Sequence, residues 1–277
     1  MPIEVSNDPN AFRAFEQAGW TAAAMSYESV VGPLTAQSAD ATLDAAGVTA
    51  GCKVLDVCTG HGVLAHVATQ RGAKVSALDF AETMIAAARR NVPTADCQLG
   101  DAQNLPYEDD TFDAVVCGFG LLHVPEPDRA LVEIHRVLRP GGRVALSVWQ
   151  RPSQTNGFGV LLSALKAYGR FEVALPHGPD VFQFGELKNM TEALKQGGFN
   201  EVDATTVIQT IDVETANGFV EAVLQGSVRM KSLLLAQDHA ALTAINAAVA
   251  KGVEDLFSNQ GSFRVLMPAI VGSGMKP

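Results

Sequence analysis

The chain has 277 residues, of which 47% are hydrophobic, and a formal net charge of -10. That is long and apolar enough to bury a full core as a single domain, 1–277. An acidic surface with no run of Lys and Arg repels polyanions, so nucleic acid is not an expected partner.

The opening stretch, Met1 to Glu16, carries Glu4, Asp8, Arg13 and Glu16 without an apolar leader, and no later run has the length to span a bilayer. A cytoplasmic protein with no membrane span is expected. Ala11–Ala45 reads as two or three helices, with Trp20, Met25 and Tyr27 in one of them, and residues 1–45 form an N-terminal helical cap. From Lys53 to Trp149 short β-branched runs alternate with helix-length amphipathic segments, the pattern of a parallel sheet covered on both faces. Strands are predicted at Lys53–Val57, Lys74–Leu78, Asp96–Leu99, Asp113–Gly118 and Arg143–Trp149. Pro125 and Pro127 open a helix whose apolar face is Ala130, Leu131, Ile134, Val137 and Leu138, and Pro140-Gly141-Gly142 stops it.

Beyond this core, 46–150, residues 151–185 mix Gly, Pro and Phe around a short helix near Val160–Tyr168 and read as a cap over a pocket. A helix over Glu186–Gln196 ends at Gly197-Gly198 and leads to a sixth strand, Val202–Val213. Residues 214–260 supply a second cap insertion with two helices. Phe263–Val271 is the last strand, at an edge or bulge because Pro268 lacks an N–H. Residues 186–213 and 261–277 thereby complete the sheet. Cys52, Cys58, Cys97 and Cys117 form no C-x-x-C pair and have no histidine at zinc spacing, so free thiols and no metal are expected.

Val54-Leu55-Asp56-Val57-Cys58-Thr59-Gly60-His61-Gly62 joins an apolar strand and an acid to a glycine turn that enters a helix. Taken alone it serves two cofactors, because Gly60-x-Gly62-x-x-Ala65 also fits a dinucleotide fingerprint with Asp79 in reach of a ribose. Asp56 discriminates between them. A pyrophosphate at that helix start would face a carboxylate, whereas the ammonium and sulfonium of S-adenosylmethionine are stabilised by one.

With this loop and three further motifs, Ala77-Leu78-Asp79-Phe80-Ala81-Glu82-Thr83-Met84, Gly100-Asp101-Ala102 and Phe112 to Val124, the chain resembles the class I S-adenosylmethionine-dependent methyltransferases, in the style of the quinone-biosynthesis C-methyltransferases. The likeness runs from about Tyr27 to Trp149. It implies a Rossmann-like three-layer αβα sandwich with a mostly parallel seven-stranded sheet, order 3-2-1-4-5-7-6 with strand 7 antiparallel, and a helical cap. It implies that 46–150 is the S-adenosylmethionine-binding core. Asp56, Gly60 and Gly62 match the family loop, with Cys58 in its first glycine position. By the same resemblance Asp79 accepts both ribose hydroxyls, Phe80 and Met84 flank the adenine, and Asp101 takes the adenine amino group beside the Ala102 N–H. Cys117 and Phe119 then lie against the methionine end, over which Tyr27 folds.

The implied reaction is in-line displacement of a methyl group onto an O, N or C nucleophile of a small hydrophobic metabolite. A phenol, alcohol or activated carbon needs a base, for which His123 is the candidate, although a strand-to-helix histidine also serves as hydrogen-bonded scaffold. Trp20, Met25, Phe158, Phe171, Phe182 and Phe184 are candidates to line the acceptor pocket; His61, inside the glycine loop, either touches the donor or points to solvent, and His177 has no clear partner. Two alternatives stay open: an NAD(P)-dependent oxidoreductase, and an S-adenosylmethionine-binding protein without turnover. The sequence is compatible with a homodimer and carries no signal for one.

Overall fold

A computed structural model describes residues 8–259 and 261–277; residues 1–7 of the expected N-terminal cap, Glu4 among them, and Gln260 of the second insertion lie outside the described residues. The cap begins with α1 (Pro9–Val30), α2 (Gly32–Thr35) and α3 (Ala39–Ala45). Asp8 caps α1 by accepting the Asn10 N–H at 2.9 Å, and Pro9 sits at the first helical position, where its missing N–H costs nothing.

The core strands are β1 (Lys53–Val57), β2 (Lys74–Asp79), β3 (Asp96–Leu99), β4 (Phe112–Gly118) and β5 (Leu138–Trp149). The crossover helices among them are α4 (Val63–Gln70), α5 (Glu82–Asn91) and α6 (Pro127–Val137). β1 pairs in parallel with β2 and β4, β2 with β3, and β4 with β5. Neighbouring residues along each strand point to opposite faces, and the core divides accordingly. Leu55, Val115 and Leu146 pack with Ile134 of α6 on one face. Val54, Ala114 and Ala145 pack with Leu43 of α3 and Ala65 of α4 on the other. This two-sided burial explains why the strands read as continuous apolar runs.

Leu138, expected on α6, instead opens β5, and an irregular stretch of β5 between Leu138 and Arg143, opposite Phe112 and Ala114 of β4, takes up the Pro140-Gly141-Gly142 turn. After β5 come α7 (Gly157–Tyr168) and α8 (Leu187–Gln196), then β6 (Asn200–Val207) and β7 (Thr210–Val213). Next are α9 (Gly218–Gly226), α10 (Arg229–Leu235), α11 (His239–Phe257), β8 (Ser258–Asn259), β9 (Ser262–Leu266) and β10 (Ala269–Met275). The main sheet runs β3-β2-β1-β4-β5-β10-β6, with β10 antiparallel to both neighbours. Counted in the strands of that sheet, this is the expected order.

Two expected strands prove to be two each. The run Val202–Val213 divides into β6 and β7, and Phe263–Val271 into β9 and β10, so that β7-β9-β8 form a separate small sheet. Both breaks meet at one point. Buried Gln209 accepts the Met267 N–H at 2.8 Å on its backbone carbonyl and donates from its side chain to the Leu34 carbonyl at 3.0 Å. Pro268 cannot donate to a ladder, and its carbonyl takes the Gln150 N–H instead. The second insertion also holds three helices rather than two, since extended Ser227 separates α9 from α10. α7, α9 and α11 bury Leu161, Phe219 and Val249 in a cluster of their own.

Candidate active site

The carboxyl ends of β1, β2 and β4, where open α/β sheets take ligands, border a cleft of about 1120 Å³ including its open mouth. α1 contributes Arg13, Trp20 and Tyr27 to its walls, and the start of α10 contributes Arg229 and Met230. A smaller pocket shares Tyr27, Cys58, Gly60 and Phe119 with the cleft and adds Asp56, His61 and Ser147. There His61 Nδ1 and Ser147 Oγ are buried with no hydrogen-bond partner among the described residues. Buried polar groups are ordinarily paired, so these two orphans mark a place where a polar ligand group belongs.

The loop after β1 is folded by three left-handed residues, Cys58 (φ 57°), Gly60 (φ 57°) and Gly62 (φ 95°). Asp79, at the end of β2, clamps it: Oδ2 accepts the Gly60 N–H at 2.9 Å and Oδ1 the Ala81 N–H at 3.0 Å. Burial raises the Asp79 pKa despite the backbone N–H groups of Ala81, Gly60 and Phe80. Phe119, also left-handed at φ 55°, leads into Gly120, where a Cβ would lie 2.2 Å from that of Cys58. The two loops are therefore in contact through a position only glycine fills. Such strained positions cluster at functional sites.

Tyr27, Cys58, Gly60, Asp79, Phe80, Met84, Asp101, Ala102, Phe119 and His123, all singled out in the sequence, border the cleft. Gly62 and Cys117 border neither pocket: Gly62 shapes the turn into α4, and buried Cys117 lies behind Cys58. Asp56 borders the smaller pocket, and its Oδ2 accepts the Thr59 hydroxyl at 2.6 Å and the Ala65 N–H at 3.0 Å, capping the first turn of α4. Its pKa is pushed up to about 7 by burial. A pyrophosphate is thus disfavoured at this helix start because a protein carboxyl already fills it. Tyr27 remains a neutral phenol, its pKa pushed up to about 12 by burial and, secondarily, by the charge of Asp79.

Arg13 pairs with Asp101 across the cleft, Nη1 to Oδ2 at 2.8 Å. An aromatic wall runs from Phe119 to Trp149 (centroids 4.2 Å apart) and on to Phe158 (5.5 Å), with Phe182 behind Phe158 (5.2 Å). Of the residues expected to line an acceptor pocket, Trp20 and Phe158 border the cleft, while Phe182 and Phe184 are packed in the core. Met25 is 88% exposed and Phe171 51%, so both lie outside it, as does exposed His177.

The residue that sequence reasoning missed is Glu16, on α1. It is completely buried and accepts from Trp20 Nε1 (3.0 Å), His123 Nδ1 (2.9 Å) and Arg229 Nε (2.8 Å). The available signal was its place on a buried helical stripe, Phe12-Glu16-Trp20-Ala23, where a lone carboxylate demands partners. Among the described residues no cluster of His, Cys, Asp and Glu is arranged to hold a metal, and no helix is long and apolar enough to cross a membrane.

The methyltransferase domain family matches residues 55–146, the stretch that carries the glycine loop, Asp79, Asp101 and β4. The demethylmenaquinone methyltransferase of Renibacterium salmoninarum is 40% identical over 111 residues, 40% of this chain and 47% of that protein. That of Streptomyces avermitilis is 32% identical over 162 residues, 54% of this chain and 69% of the relative. The matched region spans less than half the length of the first of these. Among solved structures, Haemonchus contortus phosphoethanolamine N-methyltransferase 2 in complex with S-adenosyl-L-methionine superimposes with a TM-score of 0.58 at 18% identity, over 96% of this chain and 60% of that one. A putative methyltransferase of Bacillus halodurans C-125 gives 0.53 at 18% identity, over 86% and 98%. These structures share the fold, and the sequence matches retire the dinucleotide reading of the loop: the chain belongs to the class I S-adenosylmethionine-dependent methyltransferases of the quinone-biosynthesis type.

Proposed function

We propose that the paired pockets bind S-adenosylmethionine and that the chain transfers its methyl group to a small apolar acceptor of the quinol kind, as the names of the relatives suggest. The observation that supports this best is that Asp79 and Asp101 line the cleft while the two buried orphans, His61 Nδ1 and Ser147 Oγ, line the smaller pocket that shares the Tyr27, Cys58, Gly60 and Phe119 walls with it. In this reading Asp79 holds the ribose hydroxyls, Phe80 and Met84 the adenine, and Asp101 its amino group. His61 and Ser147 meet the polar end of the methionine, beneath Tyr27.

The acceptor occupies the remaining end, beside Phe119, Trp149 and Phe158. Both guanidinium groups bordering the cleft already have carboxylate partners, Arg13 with Asp101 and Arg229 with Glu16. That leaves an anionic acceptor without a counterion and favours an uncharged one. His123 Nε2 takes the proton as the acceptor's nucleophilic atom attacks. When bound, S-adenosylmethionine supplies an electrophilic methyl on a sulfonium. Water exclusion by the aromatic wall and α1 keeps that attack from being lost to solvent.

The test is to incubate the protein with methyl-deuterated donor and a short-chain demethylmenaquinol and to read the product mass. A product carrying a trideuterated methyl group supports the proposal. If neither this acceptor nor a cell extract yields a labelled product while the donor is bound, the protein is a binder without turnover.

A further inference from the structure

The environment of His123 holds more than a base needs for contact with substrate. Glu16 reaches it from α1 of the cap, Oε2 to Nδ1 at 2.9 Å, and the same oxygen accepts the Trp20 indole N–H. The other oxygen accepts Arg229 Nε at 2.8 Å. Arg229 in turn donates to the carbonyls of Pro179 (2.6 Å) and Leu122, the neighbour of His123, and lies 4.5 Å over the Phe12 ring. The buried Glu16–Arg229 pair therefore joins α1, the segment before α6, the first cap insertion and α10.

The chemistry of the carboxylate fixes the proton on the imidazole. Burial pushes the Glu16 pKa up, but His123 and Arg229 more than offset it and hold the group below its ordinary value, hence ionised. An ionised carboxylate only accepts, so Nδ1 carries the hydrogen, and in the neutral ring the lone pair then resides on Nε2. Nε2 has no hydrogen-bond partner among the described residues, and the ring borders the cleft with its side chain 18% exposed.

We propose that Glu16 is a positioning residue: held by Arg229, it fixes His123 as the Nδ1–H tautomer with Nε2 facing the acceptor, from a helix that also roofs the donor site. Two other α1 contacts reach residues of that donor site, Arg13 to Asp101 and the Gln17 amide to the Phe80 carbonyl at 2.7 Å. The base is accordingly set by the helix that closes over the cleft. This inference rests on His123 being the base.

The experiment is ¹⁵N NMR of histidine-labelled protein with S-adenosylhomocysteine bound at alkaline pH, the His123 signals being assigned with His123→Asn. Wild type should show the Nδ1–H tautomer. Glu16→Ala should shift His123 toward Nε2–H and lower the rate of methyl transfer to demethylmenaquinol by about 100-fold, the scale of a lost base, with S-adenosylhomocysteine affinity unchanged. The Glu16→Leu/Arg229→Leu pair removes both buried charges, which guards against simple misfolding, and should give the same tautomer shift. Glu16→Gln keeps one acceptor and should restore most of the Nδ1–H population. An unchanged tautomer in the folded variants would overturn the positioning role. So would a Glu16→Ala loss that persists in a His123→Ala background, where Glu16 has nothing left to orient. Full activity of His123→Ala alone would instead remove the base assignment on which the inference stands.

Discussion

Replacing Asp79 by Asn tests the donor site at its most connected residue. The carboxylate accepts two backbone N–H groups, from Gly60 and Ala81, on opposite oxygens. An amide keeps one acceptor and turns its NH2 toward the other donor, leaving that N–H unpaired at a cost of about 1–3 kcal/mol. Melting should fall by roughly 2–4 °C for each kcal/mol lost. The ligand loses more specifically. A hydrogen bond to a charged acceptor contributes about 1.5–3 kcal/mol, and each 1.4 kcal/mol is about tenfold in affinity. S-adenosylhomocysteine should therefore bind at least about 10-fold, and up to about 100-fold, more weakly by calorimetry. A variant that melts lower but binds the ligand as tightly as wild type would refute the ribose assignment and leave Asp79 as a loop clamp alone.

The buried Asp56 makes a pH prediction. Its folded pKa, about 7, lies above the ordinary 3.8, so the folded state binds the extra proton and stability is lost as pH rises through that window. Asp56→Asn keeps an acceptor for Thr59 and Ala65 without the charge; its stability relative to wild type should rise between about pH 4 and pH 7, by at most about 4 kcal/mol. Urea unfolding at both ends measures this, and a pH-independent difference contradicts it. Gly120→Ala should push the Cys58 loop away and weaken donor binding, whereas adding Cys58→Gly, which removes the opposing Cβ, should restore it. Additive losses in a thermodynamic cycle would contradict the contact. His123→Ala should cut methyl transfer by about 10²–10⁴-fold in single-turnover kinetics without changing donor affinity. Phe158→Ala should raise the KM for an apolar acceptor and spare donor binding; equal loss of both would place Phe158 in the donor site instead.

The parallel half of the fold was legible because strands buried on both faces read as uninterrupted apolar runs, and each motif follows a strand end. The split of Val202–Val213 was not. Nothing local in a β-branched run announces that Gln209 will be buried against Leu34 and Met267, contacts supplied by distant parts of the chain. The residues proposed to hold the donor could be named from sequence because glycine and acid spacing is local. The partners of Asp56 within the fold, Thr59 and Ala65, were not legible, since a strand-end acid facing a ligand and one capping the next helix look alike in sequence. Glu16 and Arg229 stand 213 positions apart, and only the tertiary fold makes them one site with His123.

Calorimetric titration with S-adenosylhomocysteine and, separately, with NAD shows which cofactor the glycine loop accepts. One binding event per chain is expected for S-adenosylhomocysteine and none for NAD. Binding of NAD with no response to S-adenosylhomocysteine would contradict that expectation.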